Sequence, residues 1–480
     1  MKCEKIAASV LDRYPDQTDA ALERQLAAAA ARDAHKIVVL DDDPTGVQTV
    51  HDVSVYTDWS EESLRRGFAE KNKLFYILTN SRGFSVEQTT QVHQEIGRRL
   101  AKAAREAGRE YIVVSRSDST LRGHYPLETE LLSAAWEETQ GTPMDGEILC
   151  PYFREGGRFT LQNVHYVKDG AWLVPAGETE FARDKTFGYH ASELREYIEE
   201  KTGGRFPRDS VLCISLEELR RRDVAGITQR LLGVKGFGKV IVNAAAPSDV
   251  KVFVLALYQA LAAGRHFLFR TAAGFVKELG AISDRPLLTH AEMVKRQAGS
   301  VAGGIVVVGS HTQKTTRQLQ ALQNLPGIVS LEFDSDLVLD EARFAAEVQR
   351  VLAEEERRLR SGATVVVYTR RRLLSLEGDT KEAALARAVK ISDAVQSLVG
   401  RLTVTPAFVV AKGGITSSDI GTKALRVQCA RVLGQIRPGI PVWETGPESK
   451  FPGIPYVIFP GNVGEEGTLR EAVQILMEAE

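Results

Sequence analysis

Four clusters of polar residues stand where apolar runs end, and each carries a recognisable chemistry. Asp41-Asp42-Asp43-Pro44-Thr45-Gly46 follows the run 37–40 and sets three carboxylates in a row. Such a group can hold Mg2+, take a proton from a hydroxyl, or hydrogen-bond a polyol, although an acidic turn closed by Pro and Gly would read the same way. Thr79-Asn80-Ser81-Arg82-Gly83 follows the run 74–78. It offers short hydrogen bonds and a guanidinium fork that matches a carboxylate. Arg116-Ser117-Asp118-Ser119-Thr120-Leu121-Arg122-Gly123-His124 follows the run 111–114. Two cations, an acid and hydroxyls packed this closely suit a small polyhydroxylated anion, with a salt-bridged surface loop as the plainer reading.

The fourth group lies in the second half. Gly309-Ser310-His311-Thr312, Gly413-Gly414-Ile415-Thr416-Ser417-Ser418 and Gly461-Asn462-Val463-Gly464 each follow an apolar run. Glycines at such turns let backbone N–H groups approach an anion, and a following helix adds partial positive charge. Three of them together suggest a phosphate or nucleotide site. None is a G-x-x-x-x-G-K-[ST] loop or a strand-preceded G-x-G-x-x-G. The histidines do not group at ligand spacing, so no zinc site is expected.

Parallel sheets must position these clusters. Runs 37–40, 74–78, 111–114, 147–150, 211–214 and 240–242 alternate with helical segments 86–107, 192–201 and 248–263. Continuous apolar strands separated by helices indicate a parallel sheet covered on both faces, with ligands beyond the carboxyl ends. A second series follows: runs 305–308, 329–333, 364–368, 408–410 and 456–459, with helices over 341–360 and 381–399. Asp284-Arg285-Pro286 and Gly303-Gly304 separate the two series. The expected class is α/β in two domains, each a mainly parallel sheet flanked by helices, with a ligand cleft between them. Residues 1–34 form an N-terminal helical extension, 35–290 the first domain and 291–480 the second.

Composition narrows the partners. The chain has 480 residues, a net charge of −2 and 26% charged residues. That balance lacks the basic field of a nucleic-acid binder. No apolar run reaches membrane length, and Met1-Lys2-Cys3-Glu4-Lys5 lacks the apolar core of a secretory signal. Four dispersed cysteines without CxxC fit a reducing, cytoplasmic setting. The leader helix is expected on its own domain or on a second copy in a homo-oligomer.

The order of Asp42-Asp43-Pro44-Thr45-Gly46, Asn80-Ser81-Arg82, Asp118-Ser119-Thr120-Leu121-Arg122-Gly123, Gly309-Ser310, Gly413-Gly414-Ile415-Thr416 and Gly461-Asn462-Val463-Gly464 resembles the four-carbon acid sugar kinase family. The resemblance runs from about residue 36 to the end, and the Asp-Ser-Thr-Leu-Arg-Gly string is its most specific part. It implies ATP-dependent phosphorylation of threonate, erythronate or 3-oxo-tetronate, with Mg2+ on the nucleotide. It places Asp42, Asp43, Ser81, Arg82, Asp118 and Arg122 at the sugar acid. Arg116 and Thr120 of the same cluster are expected there too. Ser310, Gly413, Gly414, Ile415, Thr416 and Gly461 would face ATP. Asp43 or its neighbour Asp42 is the expected general base, and Arg82 and Arg122 the carboxylate clamps. The chain departs from the family pattern in its leader, in Gln48-Thr49-Val50-His51, in Ser115-Arg116 where paired lysines are common, and in Phe459-Pro460 where Lys-Ser is common.

Two other readings remain open on the sequence. Asp41-x-Asp43-x-Thr45 after a strand matches the nucleophile loop of haloacid-dehalogenase-like phosphatases, with Leu78-Thr79-Asn80 as a second motif and Asp41 attacking phosphate. It leaves residues 116–124 and the glycine turns without a task, and its acidic motif finds only Gly378-Asp379. A non-catalytic sugar-acid sensor would use the same arginine-rich cluster without a nucleotide.

Overall fold

A run buried on both faces becomes an interior strand. A computed structural model of the protein describes residues 3–295, 302–372, 374, 376, 378–461 and 463–478. The chain forms two units. The first gathers the chain up to Val50 and from Asp58 to Asp284. The second gathers His51–Thr57 and the chain from Arg285 onward.

The first unit is built on seven parallel strands in the order Leu212–Ile214, Gly238–Val242, Gly146–Cys150, Phe267–Thr271, Tyr111–Arg116, Lys36–Asp41 and Leu74–Leu78. Register places Asp41 opposite both Leu78 and Arg116, and Arg116 opposite Thr271. The polar clusters therefore share one end of the sheet. The helix Val86–Ala107 starts at a capping box of Ser85 and Gln88 and stops at Gly108, whose left-handed backbone ends the turn. The helix Pro247–Ala262 is buried along nearly its whole length, because neighbouring helices cover it.

The leader differs from the expected continuous helix. Ile6–Ala7 is a short strand, Ala8–Arg13 is a 3-10 turn, and the helix covers only Ala20–Arg32; residues 1 and 2 lie outside the described ones. Pro15 lacks the N–H that a helix interior needs, and the Asp19 carboxylate caps a new start by accepting from the Leu22 N–H. Leu22, Leu26 and Ala30 are buried, and the helix packs on Pro247–Ala262. It is part of the first unit and not an appendage.

A second, antiparallel sheet was not anticipated: Ile6–Ala7, Trp172–Pro175, Val164–Asp169 and Arg158–Leu161. Its first hairpin turns at Gln162 and Asn163, both with positive φ. That is the backbone of a two-residue turn, here made without the glycine that usually signals it.

The second unit has five parallel strands, Pro455–Phe459, Val409–Lys412, Ile305–Val308, Thr364–Thr369 and Ile328–Phe333, in that order. Antiparallel strands Ile440–Thr445, Cys429–Arg437 and Ser54–Tyr56 extend the Pro455–Phe459 edge. The last comes from the early segment His51–Thr57, so the expected contiguous domain 35–290 is interrupted. Val53 and Val55 are buried there, and the Asp52 N–H donates to the Val432 carbonyl at 2.7 Å. A pairing across nearly the whole chain leaves no local signal. Among the described residues no helix is long and apolar enough to cross a membrane.

Candidate active site

In the first unit the three acids meet two arginines. Arg116 Nη1 donates to Asp41 at 2.8 Å and to Asp42 at 3.1 Å. Arg82 grips Asp42 through Nη2 at 2.7 Å and Nε at 3.1 Å, and reaches Asp43 at 3.3 Å. Gly46 makes room for this: a Cβ there would stand 2.0 Å from an Asp41 carboxylate oxygen. Burial, with Asp42 and Asp43 nearby, pushes the Asp41 carboxyl up to about 7 against the pull of Arg116. For Asp43, burial also opposes ionisation, but Arg82 and then Arg116 outweigh it and hold the group below its ordinary value. Asp43 keeps 15% of its side chain exposed, against 1% for Asp41 and 3% for Asp42. Of the two expected bases, Asp42 is held by both Arg82 and Arg116, and Asp43, within reach of Arg82 alone, is the more exposed.

The turn carrying Asp118 is held by its own carbonyls. His165 Nε2 donates to Ser119 O at 2.7 Å and Tyr189 to Thr120 O at 2.7 Å. Tyr197 donates to Leu121 O at 2.9 Å and Arg270 to Arg122 O at 3.1 Å. Four consecutive carbonyls thus have side-chain donors, which fixes a backbone with positive φ at Leu121 and Gly123. Asp118 accepts from Arg122 Nε at 2.6 Å and from Thr120. Burial opposes its ionisation, yet Arg122 and Arg82 hold it well below the usual carboxylate range.

Two expected contact residues turn their side chains inward. Ser81 is fully buried and donates to Glu128 at 2.5 Å. Thr120 is fully buried and orients Asp118. Neither side chain has surface for a ligand, because each hydroxyl completes a buried carboxylate's hydrogen bonds. Arg116 is likewise buried among acids, and Arg82 already holds a carboxylate.

Sequence reasoning missed Arg158 and Arg270. Arg270 lies on Phe267–Thr271 and pairs with Glu128 at 2.7 Å. Arg158 is buried, its Nε has no partner, and among the described residues its guanidinium makes no ion pair. It stacks 5.8 Å from the Phe181 ring centroid, and Arg122 lies 5.0 Å from the same ring. Burial works against its charge, offset in part by Asp118. The string Gly157-Arg158 before an alternating run was the available signal.

In the second unit the glycine turns converge. A Cβ on Gly309 would stand 2.3 Å from Thr416 Oγ1. One on Gly413 would stand 3.1 Å from Ser310 Cβ, and one on Gly461 3.8 Å from Ser310 Oγ. Gly413 has φ +117, which L side chains rarely adopt. Gly414 and Ile415 open the short helix Gly414–Asp419, with Ile415 exposed. Asn462 lies outside the described residues. Arg371, also unanticipated, donates to the Ser310 carbonyl and to Thr316 Oγ1. Such a cradle fits phosphate oxygens. Among the described residues no group of three His, Cys, Asp or Glu is placed to hold a metal ion. The acids 41–43 are engaged by arginines.

The two units belong to a class that joins a sugar-binding domain to a nucleotide-binding one. The model of a sugar-binding N-terminal domain matches residues 37–279, and that of a nucleotide-binding C-terminal domain matches residues 305–469. The chain belongs to the four-carbon acid sugar kinase family. It is 24% identical over 330 residues to the D-erythronate kinase of Heliobacterium modesticaldum, covering 66% of this chain and 67% of that protein. The fold is similar to that of a Haemophilus influenzae protein, 16% identical, with TM-score 0.59 over 92% of this chain and 100% of the other. It is also similar to a Salmonella typhimurium protein, 17% identical, with TM-score 0.60 over 91% and 98%.

Proposed function

We propose that the protein transfers the γ-phosphoryl group of ATP to a hydroxyl of a four-carbon sugar acid of the threonate, erythronate or 3-oxo-tetronate type. The observation that carries this reading is Arg158, a buried guanidinium without a carboxylate of its own. A cation in that state is stabilised by an anionic ligand, and the planar fork suits a carboxylate. Arg122 flanks it with its remaining N–H groups. The clamp expected of Arg82 and Arg122 thus passes chiefly to Arg158, since both of the others already hold acids.

Asp43 accepts the proton of the attacking hydroxyl. It stays ionised, is the most exposed of the three acids, and is oriented by the Thr45 N–H at 2.8 Å. Asp42 acts behind it by fixing Arg82. In the second unit, Ser310, Gly413, Gly414, Thr416 and Gly461 offer donors and open backbone to the phosphates. Mg2+ on the nucleotide supplies charge neutralisation at the β- and γ-phosphates.

The phosphatase reading finds no support in Asp41: its carboxylate is buried against Gly46 and paired with Arg116, with no face for in-line attack. A sensor reading leaves the nucleotide-binding unit without a task.

The test is ADP release from ATP across the threonates, erythronates and their 3-oxo forms. ADP is expected with one acid and not without it. ATP-independent hydrolysis of small phosphate esters, with no ADP formed on any acid, would overturn the reading.

A further inference from the structure

The second unit holds a buried cation that has no anion. Lys412 closes the strand Val409–Lys412 and is fully buried. Its Nζ donates to the Pro460 carbonyl at 2.5 Å and lies 4.2 Å from the centroid of the Phe459 ring. No carboxylate pairs with it among the described residues. An ammonium has three N–H donors, and one has an acceptor here.

Its position ties it to the glycine turns. Register sets Lys412 between Val308 and Phe459, the ends of the two neighbouring strands. Those strands run into Gly309-Ser310 and Pro460-Gly461, and Lys412 itself runs into Gly413. All three turns that meet at Ser310 therefore leave the sheet at this lysine. The groups that face it are of one sign or neutral. Lys314 on the helix Gln313–Gln323 is a second cation. Val308 and Phe459 are apolar. Thr416 and Ser417 are neutral, and Asp419 on the following helix is engaged by Lys423 and Ser392.

We propose that Lys412 supplies the positive charge beneath the glycine turns on which the nucleotide's phosphates rest, and holds the Pro460–Gly461 turn in place through its carbonyl. Lys412 is a positioning residue; it acts through the turn and through its field. The inference rests on the nucleotide reading of this unit.

Burial, with Lys314 adding to it, pushes the Lys412 ammonium down to about 7. A fraction of the lysine is then neutral at physiological pH, and an arriving polyphosphate recharges it. Nucleotide binding should draw a proton from solvent.

Calorimetry on the full chain tests this with ATP and AMP, in buffers of different ionisation heat, for the wild type, Lys412→Met and Lys412→Arg. The wild type is expected to take up a fraction of a proton with ATP that Lys412→Met does not. Lys412→Met should weaken ATP about tenfold or more and AMP much less, because AMP lacks the β- and γ-phosphates. Lys412→Arg should recover part of the affinity without the proton uptake. Equal ATP affinity and equal proton uptake in wild type and Lys412→Met would overturn the proposal. If Lys412→Met does not fold, wild-type ATP affinity decides: it should decline between about pH 6.5 and 8.5 beyond the nucleotide's own titration, and a flat profile overturns the proposal. If the wild type binds neither nucleotide, the nucleotide reading itself falls, and the proposal with it.

Discussion

Arg158 and Arg122 stack on one phenyl ring, 5.8 and 5.0 Å from the Phe181 centroid, but only Arg122 has a carboxylate, Asp118 at 2.6 Å. Among the described residues Arg158 has none, and its Nε is buried without an acceptor. On the proposed reading the carboxylate of the acid would complete the charge balance at this point, so removing Arg158 should separate acid binding from folding.

Arg158→Met should therefore lower kcat/KM for the acid by about 30- to 1000-fold, corresponding to roughly 2–4 kcal/mol, with ATP affinity unchanged. Arg158→Lys should recover only part, since an ammonium cannot reproduce the fork. Steady-state kinetics with wild-type values for Arg158→Met would remove this arginine from the acid site.

Asp43→Asn and Asp42→Asn should fail differently. The first should cut kcat by about 10²- to 10⁴-fold while the acid still binds. The second takes one carboxylate from both Arg82 and Arg116, which keep only Asp43 and Asp41, and should destabilise the fold by roughly 3–5 kcal/mol. Thermal melts beside single-turnover rates distinguish them; a stable, slow Asp42→Asn with an active Asp43→Asn would exchange the two roles.

Gly413→Ala places a Cβ 3.1 Å from Ser310 Cβ at φ +117. The strain, about 1–3 kcal/mol, falls on the phosphate cradle. ATP affinity should drop by about tenfold or more, with acid binding in the first unit intact. Equal ATP affinity by calorimetry would take Gly413 out of the cradle.

Burial pushes the His165 imidazole down to about 4, and its neutral ring donates to Ser119 O while meeting Thr160 Oγ1 at 3.0 Å. A depressed value means that the folded state binds fewer protons. Its contribution is complete above about pH 6.5 and declines as pH falls toward about 4. The melting temperature of the wild type should fall between pH 7 and pH 5 more steeply than that of His165→Gln; parallel profiles would refute the assignment.

Glu355 on the helix Glu341–Arg360 has the opposite sign. Both carboxyl oxygens are buried without a partner, and burial raises the group well above its ordinary value. Its contribution is complete below about pH 4.5 and is lost as pH rises toward the raised value. Glu355→Met should stabilise the fold at pH 8 by roughly 1–3 kcal/mol and have little effect at pH 4. Denaturant melts at the two pH values check it.

Local signals were enough for the strand Leu74–Leu78 and the helices Val86–Ala107 and Glu341–Arg360. A strand buried on both faces is a short apolar run, and a helix shows its period and caps, so each can be read within a few residues. The α/β class and the places where polar clusters must gather follow from those runs. The hairpin Arg158–Leu161 with Val164–Asp169, the strand Phe267–Thr271 that carries Arg270, and the segment His51–Thr57 left no such mark. Each is short, carries buried polar side chains, or pairs with a distant stretch of chain.

The residue types of the site were legible in the sequence by itself: acids, arginines and glycines at the ends of strands. Which of those groups are free was decided only in three dimensions. Asp42 and Arg82 cancel one another across 40 residues, Ser81 meets Glu128 across 47, and Arg158 is left without an ion pair among the described residues. Side-chain charge is written in the sequence, but its neutralisation depends on distance in space. The tertiary structure alone therefore determined that Arg158 and Lys412 are buried without an ion pair among the described residues.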